Sequence, residues 1–169
     1  AFMLFSAFIL FPIPCASTES PNVRTITPSA PTGAYDDGVK EIGIEWVGMS
    51  DLSRPLWNTE RNIEGFYNWM SANGGYSKEF NWGEWSAWEE DFKDASHSGT
   101  DTEWIDAVDI VYYQDHGGAD GVCFTSQHDD RRLSYGHMRL GDGDLDTIVF
   151  DACSPLKWVN KDGVDVFER

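Results

Sequence analysis

The sequence predicts an α/β fold with a mainly parallel central sheet, and three observations carry that prediction. Two apolar runs, Val108-Asp109-Ile110-Val111-Tyr112-Tyr113 and Leu145-Asp146-Thr147-Ile148-Val149-Phe150, are each closed by polar or glycine-rich residues. Runs of about six β-branched and aromatic residues bounded in this way read as buried strands. Upstream, Ile42, Ile44 and Trp46 alternate along residues 39–47, which is one face of a further strand. Between these runs the hydrophobic period changes to that of a helix. The coarse order is β-α-α-β-β-α-β, and strands separated by helical stretches pair in parallel.

The chain of 169 residues suits one domain with a sizeable core. Its 29 acidic residues against 12 basic ones give a formal net charge of −17. That balance excludes nucleic acid as a partner, because phosphates require Lys and Arg. It fits a secreted soluble protein, a cationic substrate or bound calcium, with most of the acids forming a solvated surface.

Residues 1–17 open with the apolar run AFMLFSAFILFPIP. The run is short for a membrane span and has the length of a signal-peptide core, so it reads as a secretory signal or, second, an N-terminal anchor. Cleavage would follow Ala16 or Ser17. A lipid anchor on Cys15 is disfavoured by Ile13-Pro14, where a small residue is normally needed. The expected location is secreted or extracytoplasmic. Residues 18–37 carry Pro21, Pro28, Pro31 and Gly33 without a hydrophobic period, and form a flexible linker. The folded domain is assigned to 38–169. Ala1 at the start, and the end at Arg169 soon after a promising motif, read as the ends of a fragment.

Within the domain, Ile63, Phe66, Tyr67 and Met70 recur at i, i+3, i+4 and i+7, and Asn73-Gly74-Gly75 supplies a helix stop. Trp82, Trp85, Trp88 and Phe92 predict a second helical face over residues 80–92. Residues 101–107 form a loop or short helix. Val122 to Ser126 read as a short strand, 131–140 as a helix weakened by Gly136, and 141–144 as a turn.

The chemistry follows from where the two central runs end. The first continues as Gln114-Asp115-His116-Gly117-Gly118, the second as Asp151-Ala152-Cys153-Ser154. If the strands are parallel neighbours, His116 and Cys153 emerge at the same carboxyl edge, where open α/β sheets carry their sites. A thiol becomes a strong nucleophile only as its anion, and an imidazole can take that proton and return it to a departing amine. Gly117 lets the chain pass close to a substrate, and its N–H with that of Cys153 would hold the oxyanion. Asp115 and Asp151 flank the pair and are candidates to orient the imidazole. Ser154 and Pro155 would turn the chain away. A single Cys and a single His are equally compatible with core packing and structural hydrogen bonding.

An apolar strand followed by His-Gly, then a second apolar strand ending in Asp-Ala-Cys, resembles the caspase-like cysteine peptidases, including the legumain, gingipain, separase and caspase groups. The segment from Phe80 to Leu156, with Trp88-Glu89-Glu90-Asp91-Phe92, resembles a largely secreted bacterial family, the domain of unknown function 6345. The resemblance implies a caspase-like three-layer sandwich, incomplete at its C-terminus. It makes Cys153 the nucleophile, His116 the acid/base, and Gly117 with Cys153 the oxyanion site. It implies no cofactor, a peptide or protein substrate, and no membrane contact beyond an N-terminal anchor. The superfamily also contains inactive members, so a silent module binding protein or carbohydrate is the rival reading.

Other groupings carry weaker signals. A Cys123–Cys153 disulfide would remove the nucleophile, but Cys123 reads as an ordinary core residue. His116, His128, His137, Cys123 and Cys153 lack zinc-site spacing, and no metal is expected. Gly141-Asp142-Gly143-Asp144-Leu145-Asp146 hints at calcium without the distal glutamate of an EF-hand loop, and reads as a polar turn. His97 falls in an exposed loop. A sugar site on Trp82, Trp85 and Trp88 would require those rings to be exposed.

Overall fold

A computed structural model describes residues 36–50, 54–124, 128 and 130–153. The expected signal or anchor, Ser154, Pro155 and the residues after them lie outside the described residues, as does nearly all of the linker.

The first strand, β1 (Glu41–Trp46), is buried along its whole length. Its alternation works as the sequence predicts: Ile42, Ile44 and Trp46 pack with Ile63 and Tyr67 of α1 (Thr59–Trp69). The other face of β1 is also covered, so Glu45 is fully buried rather than solvated. Helix α1 continues as one wide turn over Met70–Gly74 and stops at Gly75, whose φ of 76° is left-handed.

The chain then forms β2 (Ser77–Gly83), β3 (Ile110–Gln114), the short strands β4 (Gly117–Gly118), β5 (Gly121–Cys123) and β6 (Arg132–Ser134), and finally β7 (Thr147–Asp151). The main sheet has the order β2-β1-β3-β7, and its three pairings are all parallel. Strands β4, β5 and β6 make a separate antiparallel sheet. The fold is therefore α/β with a four-stranded parallel sheet and few helices.

Helix α1 lies against one face, where Phe66 meets Tyr112 edge-on at 5.0 Å. The opposite face holds the larger core. There Val111 and Tyr113 of β3 pack with Phe92, Ile105, Val122, Phe124 and Leu133, and Ile148 and Phe150 of β7 close over them.

Two predicted helices are corrected. Residues 80–92 form the end of β2 followed by 3-10 turns at Glu84–Ser86 and Glu89–Phe92. Phe80 and Trp82, two apart, satisfy a strand period while Trp82, Trp85 and Trp88 satisfy a helical one, and Trp104 meets the Phe80 and Trp82 rings edge-on, at 5.9 and 5.5 Å. Glu84, at φ 56°, breaks any helix there. Residues 131–140 are not helical either: β6 pairs with β5, and Ser134 caps a 3-10 turn over Tyr135–His137 by accepting from Gly136 N. The predicted order β-α-α-β-β-α-β thus becomes a sheet with α1 as its one crossover α-helix among the described residues. The crossover from β3 to β7 is built from the small sheet instead. Residues 101–107 are two 3-10 turns, consistent with the loop or short helix expected.

Candidate active site

Strands β3 and β7 are parallel neighbours, with Gln114 opposite Asp151 as their last paired residues. His116 and Cys153 each stand two residues beyond that pair, at the carboxyl edge of the sheet. The structure thus brings the predicted residues to one edge through one register.

Gly117 reinforces the approach. A β-carbon there would lie 2.8 Å from Ala152 Cβ and 3.2 Å from the Cys153 carbonyl oxygen. The chain after His116 therefore runs against the chain before Cys153 at a distance only glycine permits. Cys123 N donates to His116 O at 2.9 Å, and Gly117 pairs with Val122. Hydrogen-bonded and non-bonded pairs alternate along an antiparallel ladder, so the Gly117 N–H points away from β5.

The imidazole of His116 is held by a group the sequence did not reveal. Its Nε2 lies 2.7 Å from the backbone carbonyl oxygen of Arg54. A carbonyl can only accept, so Nε2 carries the proton in this contact and the basic lone pair is on Nδ1. Upstream of Arg54 in the chain, Glu84 accepts from the backbone N–H groups of Gly48 at 3.3 Å, Met49 at 2.8 Å and Ser50 at 2.7 Å.

The flanking acids make other bonds. Asp115, almost fully buried, accepts from His116 N at 2.5 Å and lies 3.4 Å from the Tyr113 hydroxyl. Asp151 accepts from the Tyr112 hydroxyl at 3.0 Å and from Gln114 Nε2 at 2.9 Å. Each ties the end of its strand to β3 or its continuation, which fixes the backbone on which the site is mounted.

Beneath this edge lies a buried polar layer. Tyr113 is completely buried, and its hydroxyl donates to the Cys123 carbonyl. Loss of water, with Asp115, Glu45 and Glu89 nearby, raises its pKa well above the ordinary value. Glu89, fully buried, has its carboxyl pushed up to about 7 by desolvation. Buried Lys93 is the counter-charge, with Nζ 3.0 Å from Asp130 Oδ2.

Cys153 is a free, exposed thiol. Cys123, expected as an ordinary core residue, is instead disulfide-bonded, and its partner is not Cys153. The remaining histidines stand elsewhere: His128 stacks on Trp88 at 3.8 Å, and His97 stacks on His137 at 4.5 Å. Trp82 is buried, while Trp85 and Trp88 are half-buried. The three rings proposed for a sugar therefore do not form a fully exposed row.

Residues 44–169, a span that includes every site residue named above, match the family model of a domain of unknown function, DUF6345. The chain belongs to the DUF6345 family. No curated protein and no solved structure matches it. Among the described residues of this DUF6345 chain, no helix is long and apolar enough to cross a membrane.

Proposed function

We propose that this DUF6345 chain is a cysteine hydrolase of caspase-like fold, a secreted peptidase that works through Cys153 and His116. The observation that supports this reading is the pairing of Gln114 with Asp151, which sets His116 and Cys153 at matching positions on adjacent strand ends. A free thiol and an oriented imidazole on adjacent strand ends are the minimum a thioester mechanism needs.

In the proposed reaction His116 Nδ1 takes the proton of the Cys153 thiol. The sulfur attacks the peptide carbonyl carbon, a C–S bond forms and the carbonyl electron pair moves to oxygen. Gly117 N–H, facing away from β5, and Cys153 N–H would stabilise that oxyanion. The C–N bond then breaks as His116 returns the proton to the amine. Water, deprotonated by the same imidazole, hydrolyses the thioester to a carboxylic acid and restores the thiol. The Arg54 carbonyl holds the ring so that Nδ1 is the basic nitrogen throughout.

The rival reading is a catalytically silent module that binds a protein or glycan. The exposure of Cys153 favours it, since an exposed thiol need not be an activated one.

Iodoacetamide labelling of the native protein across pH, with peptide mapping, separates the two. Rapid labelling of Cys153 near neutral pH, slowed about 10²-fold or more in His116→Ala, is expected for the enzyme. Labelling no faster than that of an unstructured cysteine, and indifferent to His116→Ala, would establish the silent module. For the enzyme, a peptide-library screen should then yield hydrolysis that Cys153→Ala abolishes.

A further inference from the structure

The opposite edge of the sheet carries a second grouping. Glu41 is the first residue of β1, Asp37 lies just before it, and Asp144 lies just before β7. Carboxylate oxygens of these three residues lie within 4.8 Å of one another. Asp37 is exposed, but Glu41 and Asp144 are only 8% and 6% exposed. Glu41 Oε2 and Asp144 Oδ1 are buried without a hydrogen-bond partner. Buried carboxylate oxygens are normally satisfied, and two orphans in one acidic pocket call for a positive ligand.

Among the described residues, the surroundings supply none. The charges acting on Glu41 come from Glu79, Asp37, Asp144 and Asp109, all of them acidic. Lys40, adjacent in sequence, places its Nζ over the Tyr76 ring at 5.5 Å. The pocket is nonetheless rigidly framed. Asp109 Oδ2 accepts from Glu41 N at 2.6 Å, Asp144 N donates to Asp106 O at 2.7 Å, and Asp37 Oδ1 accepts from Val39 N at 2.7 Å.

We propose that Asp37, Glu41 and Asp144 form a calcium site that clips the entrance of β1 to the entrance of β7. The donors are all hard oxygens, and their spacing suits one coordination sphere of about 2.4 Å radius. Three carboxylates of irregular origin favour calcium, which tolerates varied geometry, over magnesium, which demands a near-ideal octahedron. Among the described residues β7 pairs with β3 alone in the main sheet, so a clip at its start steadies the strand that leads to Cys153. The site stands on its own observations and does not depend on the reaction proposed above.

The test is thermal unfolding and calorimetric titration of the full chain, stripped with chelator and then given calcium or magnesium. Calcium at about one hundred times its dissociation constant should raise Tm by about 5–10 °C. Glu41→Gln and Asp144→Asn should each remove that response. Both should fold, and both should melt higher than wild type without calcium, since each relieves like-charge repulsion. Asp142→Asn, which alters an exposed pair with Arg139 in the same loop, should keep the full response. No calcium response in the wild type, a response retained in Glu41→Gln and Asp144→Asn, or a response to magnesium in preference to calcium would each overturn the assignment.

Discussion

A β-carbon on Gly117 would stand 2.8 Å from the β-carbon of Ala152. That contact joins the segment after His116 to the segment before Cys153, and Gly117→Ala tests it directly. The added methyl must displace either chain, at a cost of about 1–3 kcal/mol. A comparable loss elsewhere in the core would leave the site intact. Here we expect the His116-dependent labelling of Cys153 to fall about 10²-fold at temperatures well below Tm. Unchanged labelling alongside a lowered Tm would mean the close approach serves packing alone.

Glu84 is predicted to act on the imidazole at a distance. Its carboxylate gathers three backbone N–H groups of residues 48–50, a few residues before Arg54 in the sequence, whose carbonyl holds His116. Glu84→Ala should cost about 1–3 kcal/mol of stability, the usual loss when a charged acceptor leaves its donors. Nitrogen NMR of His116 gives the discriminating signal. In the wild type at alkaline pH the neutral ring should be the Nε2–H tautomer. Glu84→Ala should bring a mixture of tautomers, and a pure Nδ1–H signal in the wild type would contradict the Arg54 contact.

What the sequence discloses here is set by locality. The alternation of Ile42, Ile44 and Trp46, and the helical spacing of Ile63, Phe66 and Tyr67, are properties of neighbouring residues, and both faces form as expected. The equal offset of His116 and Cys153 from their strand ends is also local, so parallel neighbouring strands suffice to predict the shared edge. The failures are long-range. Trp82 is claimed for a strand by Trp104, and Leu133 is drawn into the core by β5, so a local period alone cannot decide either stretch. Arg54 acts through a backbone carbonyl, which any residue possesses, and leaves no trace in the sequence. Asp144 was visible beside Asp142 and Asp146, but its partners Asp37 and Glu41 come from the other end of the domain.

The two described cysteines should separate cleanly by reactivity. Cys153 is free and exposed, whereas Cys123 is held in a disulfide on a strand of the small sheet. Alkylation of the full 169-residue chain, with residues 1–17 retained and without reductant, should modify Cys153 and spare Cys123. Added reductant should open Cys123 and lower Tm, since removing a disulfide typically costs about 2–5 kcal/mol. Modification of Cys123 before reduction, or protection of Cys153, would reverse the assignment.

The buried layer beneath the site predicts how stability changes with pH. Loss of water pushes the Glu89 carboxyl from an ordinary 4.5 up to about 7, reinforced by Glu90 and opposed by the Asp130 N–H and by Lys93. The folded chain therefore holds this proton more tightly than the unfolded chain. The resulting stabilisation is complete below about 4.5 and is lost as pH rises through about 7. Glu89→Gln keeps an acceptor for the Asp130 N–H and removes the titration. Relative to this variant, the wild type should lose roughly 2–3 kcal/mol between pH 4.5 and 8, read from urea midpoints. Lys93→Met acts in the opposite sense. It withdraws the positive charge from Glu89, raises the carboxyl further and carries the loss to higher pH, while Asp130, exposed on its side chain, stays solvated. A wild-type profile parallel to that of Glu89→Gln would show that Glu89 stays ionised in the core, with Lys93 balancing its charge.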